Sequence, residues 1–276
     1  MASFAVLIGA VLVLGTSVTL PVILAMVAAF LITGGGNSIN DFYDIEADRI
    51  NRPDRPIPSG RIGKRSVLSI SLGLFVIGIL LSAFINYLAL GIAVLNSVLL
   101  AYYSGSLKRK LLVGNFAVSY LVGSTFLFGG AAAGDILLPG MLFVLSFLTN
   151  LSREISKTIE DEEGDRANLL KDVKPGEKQE EKGLNSIKHR KSLLAVSKIS
   201  LILALVFSPI PFWVGLFGWP YIWFLIPADA LFLASLVLIA FAGWRGHGKK
   251  LFSLSSKAIK FGMFFGLLAF LAGALA

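Results

Sequence analysis

The sequence predicts an all-α integral membrane protein with nine transmembrane helices, and three observations lead there. Hydrophobic residues fill 55% of the 276 positions and charged residues only 15%, giving a mean hydropathy of +0.78, well outside the soluble range. Stretches such as 67–93 and 193–211 continue for about 18 residues or more with few or no charges, enough to cross a hydrocarbon core of roughly 30 Å. The lysines and arginines, finally, gather in alternate connections between the apolar runs.

Dividing the runs at glycines, prolines and charge clusters gives candidate helices at approximately 3–16, 20–46, 64–84, 87–105, 111–132, 137–164, 191–213, 219–242 and 254–275. The first, Phe4 to Leu14, lacks a basic flank and a small-residue cleavage signal, so it is read as a retained span. Helices are favoured over barrel strands because each segment must satisfy its own backbone in lipid and all are too long for strands. The polar segment 161–191, which contains Pro175 and Gly176, is expected to be a loop. Residues 1–276 are read as one domain.

Charge sets the expected orientation. Connections after the second, fourth, sixth and eighth spans hold Arg49, Arg52, Arg55, Arg61, Lys64 and Arg65, then Lys108, Arg109 and Lys110, then the stretch Arg153 to Lys198, then Arg245, Lys249, Lys250, Lys257 and Lys260. The other connections carry almost no charge beyond Asp135. The positive-inside rule therefore places the amino terminus and these four connections in the cytoplasm and the carboxy terminus outside. The net charge of +8 needs no nucleic acid partner, because a basic rim facing anionic lipid headgroups or diphosphates accounts for it. The absence of cysteine excludes disulfides, thiolate metal sites and cysteine nucleophiles. His189 and His247 sit in polar connections without a partner at helical spacing and read as solvated residues.

The chemistry concentrates at two acidic span ends. In Asn37 to Pro53, the side chains of Asn37, Asn40, Asp41, Asp44 and Asp48 fall within an arc of about 100° on a continuous helix. Carboxylates so placed repel one another unless a cation neutralises them. Hard oxygen donors without cysteine or histidine point to magnesium or calcium, and magnesium is the usual partner of phosphate groups. A solvated helix end at the membrane surface would also carry acids, but Asn37 to Asp41 lie close to an apolar span, where polar groups are costly. At the end of the sixth span Glu154, Lys157, Asp161 and Asp165 again share one face. Lys108 and Arg109, after Tyr102, Tyr103 and Ser104, stand where they would grip phosphate oxygens. Pro53, Pro56 and Pro58 stiffen the loop that carries Arg52 and Arg55.

Asn40-Asp41-x-x-Asp44-x-x-x-Asp48 followed by Asn51-Arg52-Pro53-x-Arg55-Pro56-Ile57 resembles the first signature of the UbiA superfamily of intramembrane prenyltransferases. Asp161-x-x-x-Asp165 resembles its second signature, and Tyr103 to Arg109 the basic segment between them. The resemblance implies a nine-helix bundle around a central cavity with cytoplasmic cap loops. Within the superfamily, Arg153-Glu154-Ile155-x-Lys157-x-Ile159-Glu160-Asp161-x-Glu163-Gly164-Asp165 is most similar to the archaeal digeranylgeranylglyceryl phosphate synthases. That subgroup implies transfer of a geranylgeranyl group from geranylgeranyl diphosphate to the sn-2 hydroxyl of geranylgeranylglyceryl phosphate. Three features depart from the pattern: no Arg-Pro pair precedes the first span, Thr158 stands where an aspartate is common, and 169–191 lacks an apolar Leu-Pro motif.

On this resemblance Asp41, Asp44, Asp48, Asp161 and Asp165 are the expected catalytic carboxylates and hold Mg2+, with Asn37 and Asn40 as further oxygen ligands. Arg55, Lys108 and Arg109, with Asn37 and Asn40, are expected to bind the diphosphate, and Arg52, Arg153, Glu154 and Lys157 the acceptor. Phe42, Tyr43, Tyr102 and Tyr103 are expected to shield the allylic cation from water. Two rivals stand beside this reading: an aromatic acceptor of quinone or haem-type pathways, and a secondary transporter or cation channel whose carboxylates hold a permeating ion.

Overall fold

The computed structural model describes the backbone of residues 1–172, 180–245 and 248–276, and side chains except those of 109, 162–189 and 243–247. Every regular element among these residues is helical. In chain order they are α1 (Ala2–Leu14), α2 (Leu20–Tyr43), α3 (Ile45–Asn51), α4 (Lys64–Ala83), α5 (Tyr87–Gly105), a 3-10 turn (Leu107–Arg109), α6 (Leu111–Ala133), α7 (Leu137–Asp172), α8 (Glu180–Phe207), α9 (Ile210–Trp213), α10 (Trp219–Arg245) and α11 (Lys249–Leu275). Seven helices of the described residues are long and apolar enough to cross a membrane, and α1 is a shorter apolar helix. Their outward faces carry large apolar side chains such as Phe30, Leu72, Val98, Trp223, Phe241 and Phe264, the surface that hydrocarbon rather than water accepts.

Three expectations about the elements are corrected. The expected helix 20–46 ends at Tyr43 and resumes at Ile45, with Asp44 (φ −90°, ψ 3°) serving as the end of α2 and the start of α3. Aspartate favours helix ends because its short carboxylate makes local polar contacts that compete with the helix, and Asp44 accepts one from the Asn40 side chain at 2.9 Å. The expected helix 191–213 breaks after Phe207, since Pro209 and Pro211 supply no N–H to continue the ladder. The expected loop 161–191 is helical over 161–172 and 180–191. Pro175 and Gly176 fall outside the described residues, and the flanks are rich in the helix formers Glu, Lys, Arg and Leu.

The chain divides into two compact units, residues 1–143 and 144–274. In the first, the core gathers the small residues Ala25, Ala28 and Ala29 of α2, with Ile32, against Phe75, Ala89, Ala93 and Phe128. Without a hydrophobic drive in lipid, close packing of small residues and interhelical hydrogen bonds hold such helices together. Both devices appear between α2 and α4: a Cβ at Gly35 would lie 2.9 Å from the Phe75 ring, and Ser71 Oγ donates to the Gly35 carbonyl at 2.8 Å. α1 and α6 approach still closer, for a Cβ at Gly9 would collide with the Phe126 carbonyl and one at Gly129 with that of Val6. Asn86 caps α5 through the Ala89 N–H at 2.8 Å and donates to the Ala131 carbonyl of α6 at 2.7 Å.

The second unit is centred on Leu151, Ile155, Ile159, Leu193, Leu201, Ile239, Phe252 and Ile259, all fully buried. Ser152 and Ser197 share a hydrogen bond of 2.8 Å between α7 and α8. Phe217, Tyr221 and Phe270 stack at centroid distances of 5.0–5.5 Å, in the tilted and edge-on geometries that aromatic quadrupoles favour.

Candidate active site

The first acidic motif is placed by the junction of α2 and α3. The backbone bonds continue through it, Asp44 N–H to the Asn40 carbonyl at 3.0 Å and Asp48 N–H to the Asp44 carbonyl at 2.8 Å, so Asp41, Asp44 and Asp48 keep helical spacing despite the break. Two cationic side chains from other segments reach them. Lys108, on the 3-10 turn after α5, forms an ion pair with Asp44 and lies 3.5 Å from the Asn40 amide oxygen. Arg55 reaches back from the proline-rich segment to Asp48 Oδ2 at 2.7 Å and Asp41 Oδ1 at 3.4 Å.

Arg55 is aimed by its own segment. Its N–H bonds to the Arg52 carbonyl at 3.1 Å and its carbonyl accepts from Ser59 N–H at 3.0 Å, while Ile62 N–H closes the loop on the Pro56 carbonyl at 3.0 Å. Gly60 provides the one positive φ that the turn requires, 77°. The Arg61 guanidinium donates to the Asp54 carbonyl and to Ser59 Oγ. Arg52, by contrast, is exposed, as is Asn37. The Arg109 side chain lies outside the described residues.

The aromatic set is dispersed. Tyr103 lines an apolar cavity of about 370 Å³ together with Ala29, Ile32, Thr33, Asn96, Leu100, Val118, Leu121 and Phe126. Thr33 lies one helical turn before Asn37 on α2. Tyr102 points away and is 54% exposed. Tyr43 rests on Gly105, and Phe42 carries the Lys64 ammonium over its ring at 4.8 Å. A second cavity of about 350 Å³ lies on the α4 side, where Asp41, Asp48 and Arg55 meet Ile57, Pro58, Ile62, Val67 and Ile70.

In the second unit, Arg153 and Glu154 form an ion pair at 2.6 Å, and the Arg153 Nε is buried without a hydrogen-bond partner. Lys157 and Asp161 are exposed on the next turns of α7. The side chain of Asp165 lies outside the described residues.

Sequence reasoning passed over two polar clusters. Asn96 and Ser124 bond reciprocally at 2.9 and 3.2 Å beside the apolar cavity. Asp229, in the middle of α10, accepts from Ser208 Oγ at 2.9 Å, while Tyr221 Oη donates to the Ser208 carbonyl at the break between α8 and α9. The signal for Asp229 was present: an acid inside an apolar span is expensive and calls for a partner.

Among the described residues, no three acidic or histidine side chains gather closely enough to cage a metal ion. A full protein cage is not what magnesium needs, since it binds through one or two carboxylates and completes its octahedron with phosphate oxygens and water. Asp44 with the Asn40 oxygen, and Asp41 with Asp48, provide hard donors of that kind, so the residues fit the ion. Their present partners are displaceable, because partly exposed ion pairs add only about 1 kcal/mol or less.

Comparison with known proteins shows the family. The model of the UbiA prenyltransferase family matches residues 2–268. A relative from Methanopyrus kandleri named digeranylgeranylglyceryl phosphate synthase is 43% identical over 100% of this chain and 95% of its own. One of the same name from Natronomonas pharaonis is 38% identical over 98% of this chain and 90% of its own. A solved structure described as giving insight into digeranylgeranylglyceryl phosphate synthase in membranes superposes with a TM-score of 0.85 at 36% identity, covering 99% of this chain and 93% of that one. The fold also matches a UbiA homologue from Archaeoglobus fulgidus bound to GPP and Mg2+, at a TM-score of 0.58 and 15% identity over 98% and 95% of the chains. The chain is a membrane prenyltransferase, a member of the UbiA prenyltransferase family.

Proposed function

We propose that the chain transfers a geranylgeranyl group from geranylgeranyl diphosphate to the sn-2 hydroxyl of geranylgeranylglyceryl phosphate, as a step of archaeal ether-lipid synthesis in the membrane. The observation that carries the reading is the joint placement of Asp41, Asp44 and Asp48 with Lys108 and Arg55, three acids met by two cations from other segments. Relatives named for this activity along the full chain support the choice of substrates.

In this reading residues 1–276 act as one catalytic domain with nine spans, α1 and α7 completing the seven, and the polar connections form the cap. The active site opens to the cytoplasm, on the strength of the charge pattern. Asp41, Asp44 and Asp48, with Asn40, would hold magnesium beside the diphosphate, and Asp161 and Asp165 are the acids of α7 assigned to metal binding by their likeness to the second family signature. Bound there, magnesium supplies fixed positive charge against the diphosphate leaving group. Lys108 and Arg55 neutralise the remaining phosphate oxygens as the allylic carbon-oxygen bond breaks. The Tyr103 face borders the apolar space in which the cation forms and helps keep water from it. In α7, Arg153 and Lys157, with Glu154 orienting Arg153, are proposed to receive the acceptor phosphate, a role that the charge of Arg52 also suits, and the sn-2 oxygen attacks the allylic carbon as it loses its proton to water.

The test is incubation of the purified protein with labelled geranylgeranyl diphosphate, magnesium and two acceptors, geranylgeranylglyceryl phosphate and an aromatic acid. Label should enter only the glycerophosphate lipid. Transfer to the aromatic acid alone overturns the proposed acceptor, and ion flux in liposomes without diphosphate release overturns the assignment to prenyl transfer.

A further inference from the structure

Each carboxylate of the first motif is already matched with a cation from this same chain. Lys108 holds Asp44 and touches Asn40, and one Arg55 nitrogen is shared by Asp48 and Asp41. These are also the two cations assigned above to the diphosphate. We infer that Lys108 and Arg55 are internal counter-ions of the metal-binding carboxylates, so that a divalent ion and a diphosphate bind in mutual dependence, each taking over one half of an existing ion pair. The inference rests on the reading of Asp41, Asp44 and Asp48 as ligands of diphosphate-bound magnesium.

The charges explain the dependence. A divalent ion arriving alone must drive Lys108 and Arg55 from their carboxylates and leave two cations unpaired in half-buried positions, their side chains 23% and 38% exposed. A diphosphate arriving alone meets three carboxylates that repel it. When both arrive, carboxylates face the metal, phosphate oxygens face the metal and the two cations, and no like charges are left opposed. The segments permit the exchange: Lys108 belongs to the turn after α5 and Arg55 to the proline-rich segment, so either moves without disturbing the α2–α3 junction. Linkage then requires the effect to be reciprocal.

The test uses the full-length protein in detergent, with Mn2+ as a paramagnetic stand-in read by its EPR signal and inorganic pyrophosphate as the anion, corrected for the Mn2+–pyrophosphate complex formed without protein. For the unmodified chain, saturating pyrophosphate should tighten Mn2+ binding by about tenfold, within the range usual for coupled sites. Arg55→Gln and Lys108→Met should each bind Mn2+ alone several-fold tighter than the unmodified chain, while pyrophosphate then adds little. Arg55→Lys should restore most of the coupling. Arg65→Gln removes an equal charge from an exposed position at the start of α4 and should leave Mn2+ binding unchanged. Variants that bind Mn2+ alone no better than the unmodified chain, or an equal gain in Arg65→Gln, overturn the counter-ion role. Undiminished Mn2+ binding by Asp48→Asn overturns the metal assignment beneath it, which is a separate result.

Discussion

At the scale of single residues, the site divides labour by charge and by exposure. Asp48 is the most protected of the three acids, its side chain 13% exposed against 31% for Asp44 and 45% for Asp41. Loss of its charge is therefore least easily replaced by solvent. Asp48→Asn should lower kcat by about two orders of magnitude or more, the usual cost of removing one preorganised electrostatic contact, with the helical circular dichroism unchanged. Chelation by EDTA should abolish turnover and added Mg2+ restore it, as measured by release of pyrophosphate. The two neighbouring tyrosines provide a sharper contrast. Tyr103 lines the apolar cavity and Tyr102 faces outward, so Tyr103→Leu should reduce kcat and raise wasteful hydrolysis of the donor, whereas Tyr102→Leu should alter turnover by less than about twofold, as exposed substitutions usually do.

Elements in this protein are held by the absence of side chains as much as by their presence. The α1–α6 contact depends on Gly9 and Gly129, where any added Cβ meets the opposing backbone. Backbone cannot rotate aside as a flexible side chain can, so Gly129→Val should destabilise the protein by about 1–3 kcal/mol or more. A thermal melt in detergent reads the loss, and Gly73→Ala, with open space around it, is the matched control expected to be neutral. The same scale shows why the sequence misjudged three boundaries. Hydropathy ends a span where the charges begin, yet helix formers carry α7 on to Asp172. Prolines end α8 at Phe207 although the apolar run continues to Trp213. Asp44 divides α2 from α3 because a carboxylate with local partners is better placed at a helix end than inside one.

At the scale of the whole chain, the topology proposed from the charge pattern is easy to test in a cysteine-free sequence. Ser59→Cys, in the proline-rich segment, should react with a membrane-impermeant maleimide only when the cytoplasmic face is exposed. Asp135→Cys, between α6 and α7, should react only from the opposite face. Labelling of both from one side would contradict the nine-span reading, because an odd number of crossings must separate them. Membership of the UbiA prenyltransferase family over residues 2–268 was legible beforehand from Asn40 to Ile57 and from Asp161 to Asp165. Those stretches resemble the two signatures of the family, and their residue types can be recognised without the tertiary structure.

What the sequence determined by itself was therefore the membrane class, most span positions and the family, because hydropathy and residue type are local properties. Only the tertiary structure decided which cation meets which acid, that Tyr103 rather than Tyr102 faces the cavity, and that Asp229 has Ser208 for a partner. Such pairings join residues as far apart as Asn40 and Lys108. They depend on where a loop turns and how closely two helices approach, quantities that one-dimensional periodicity does not contain.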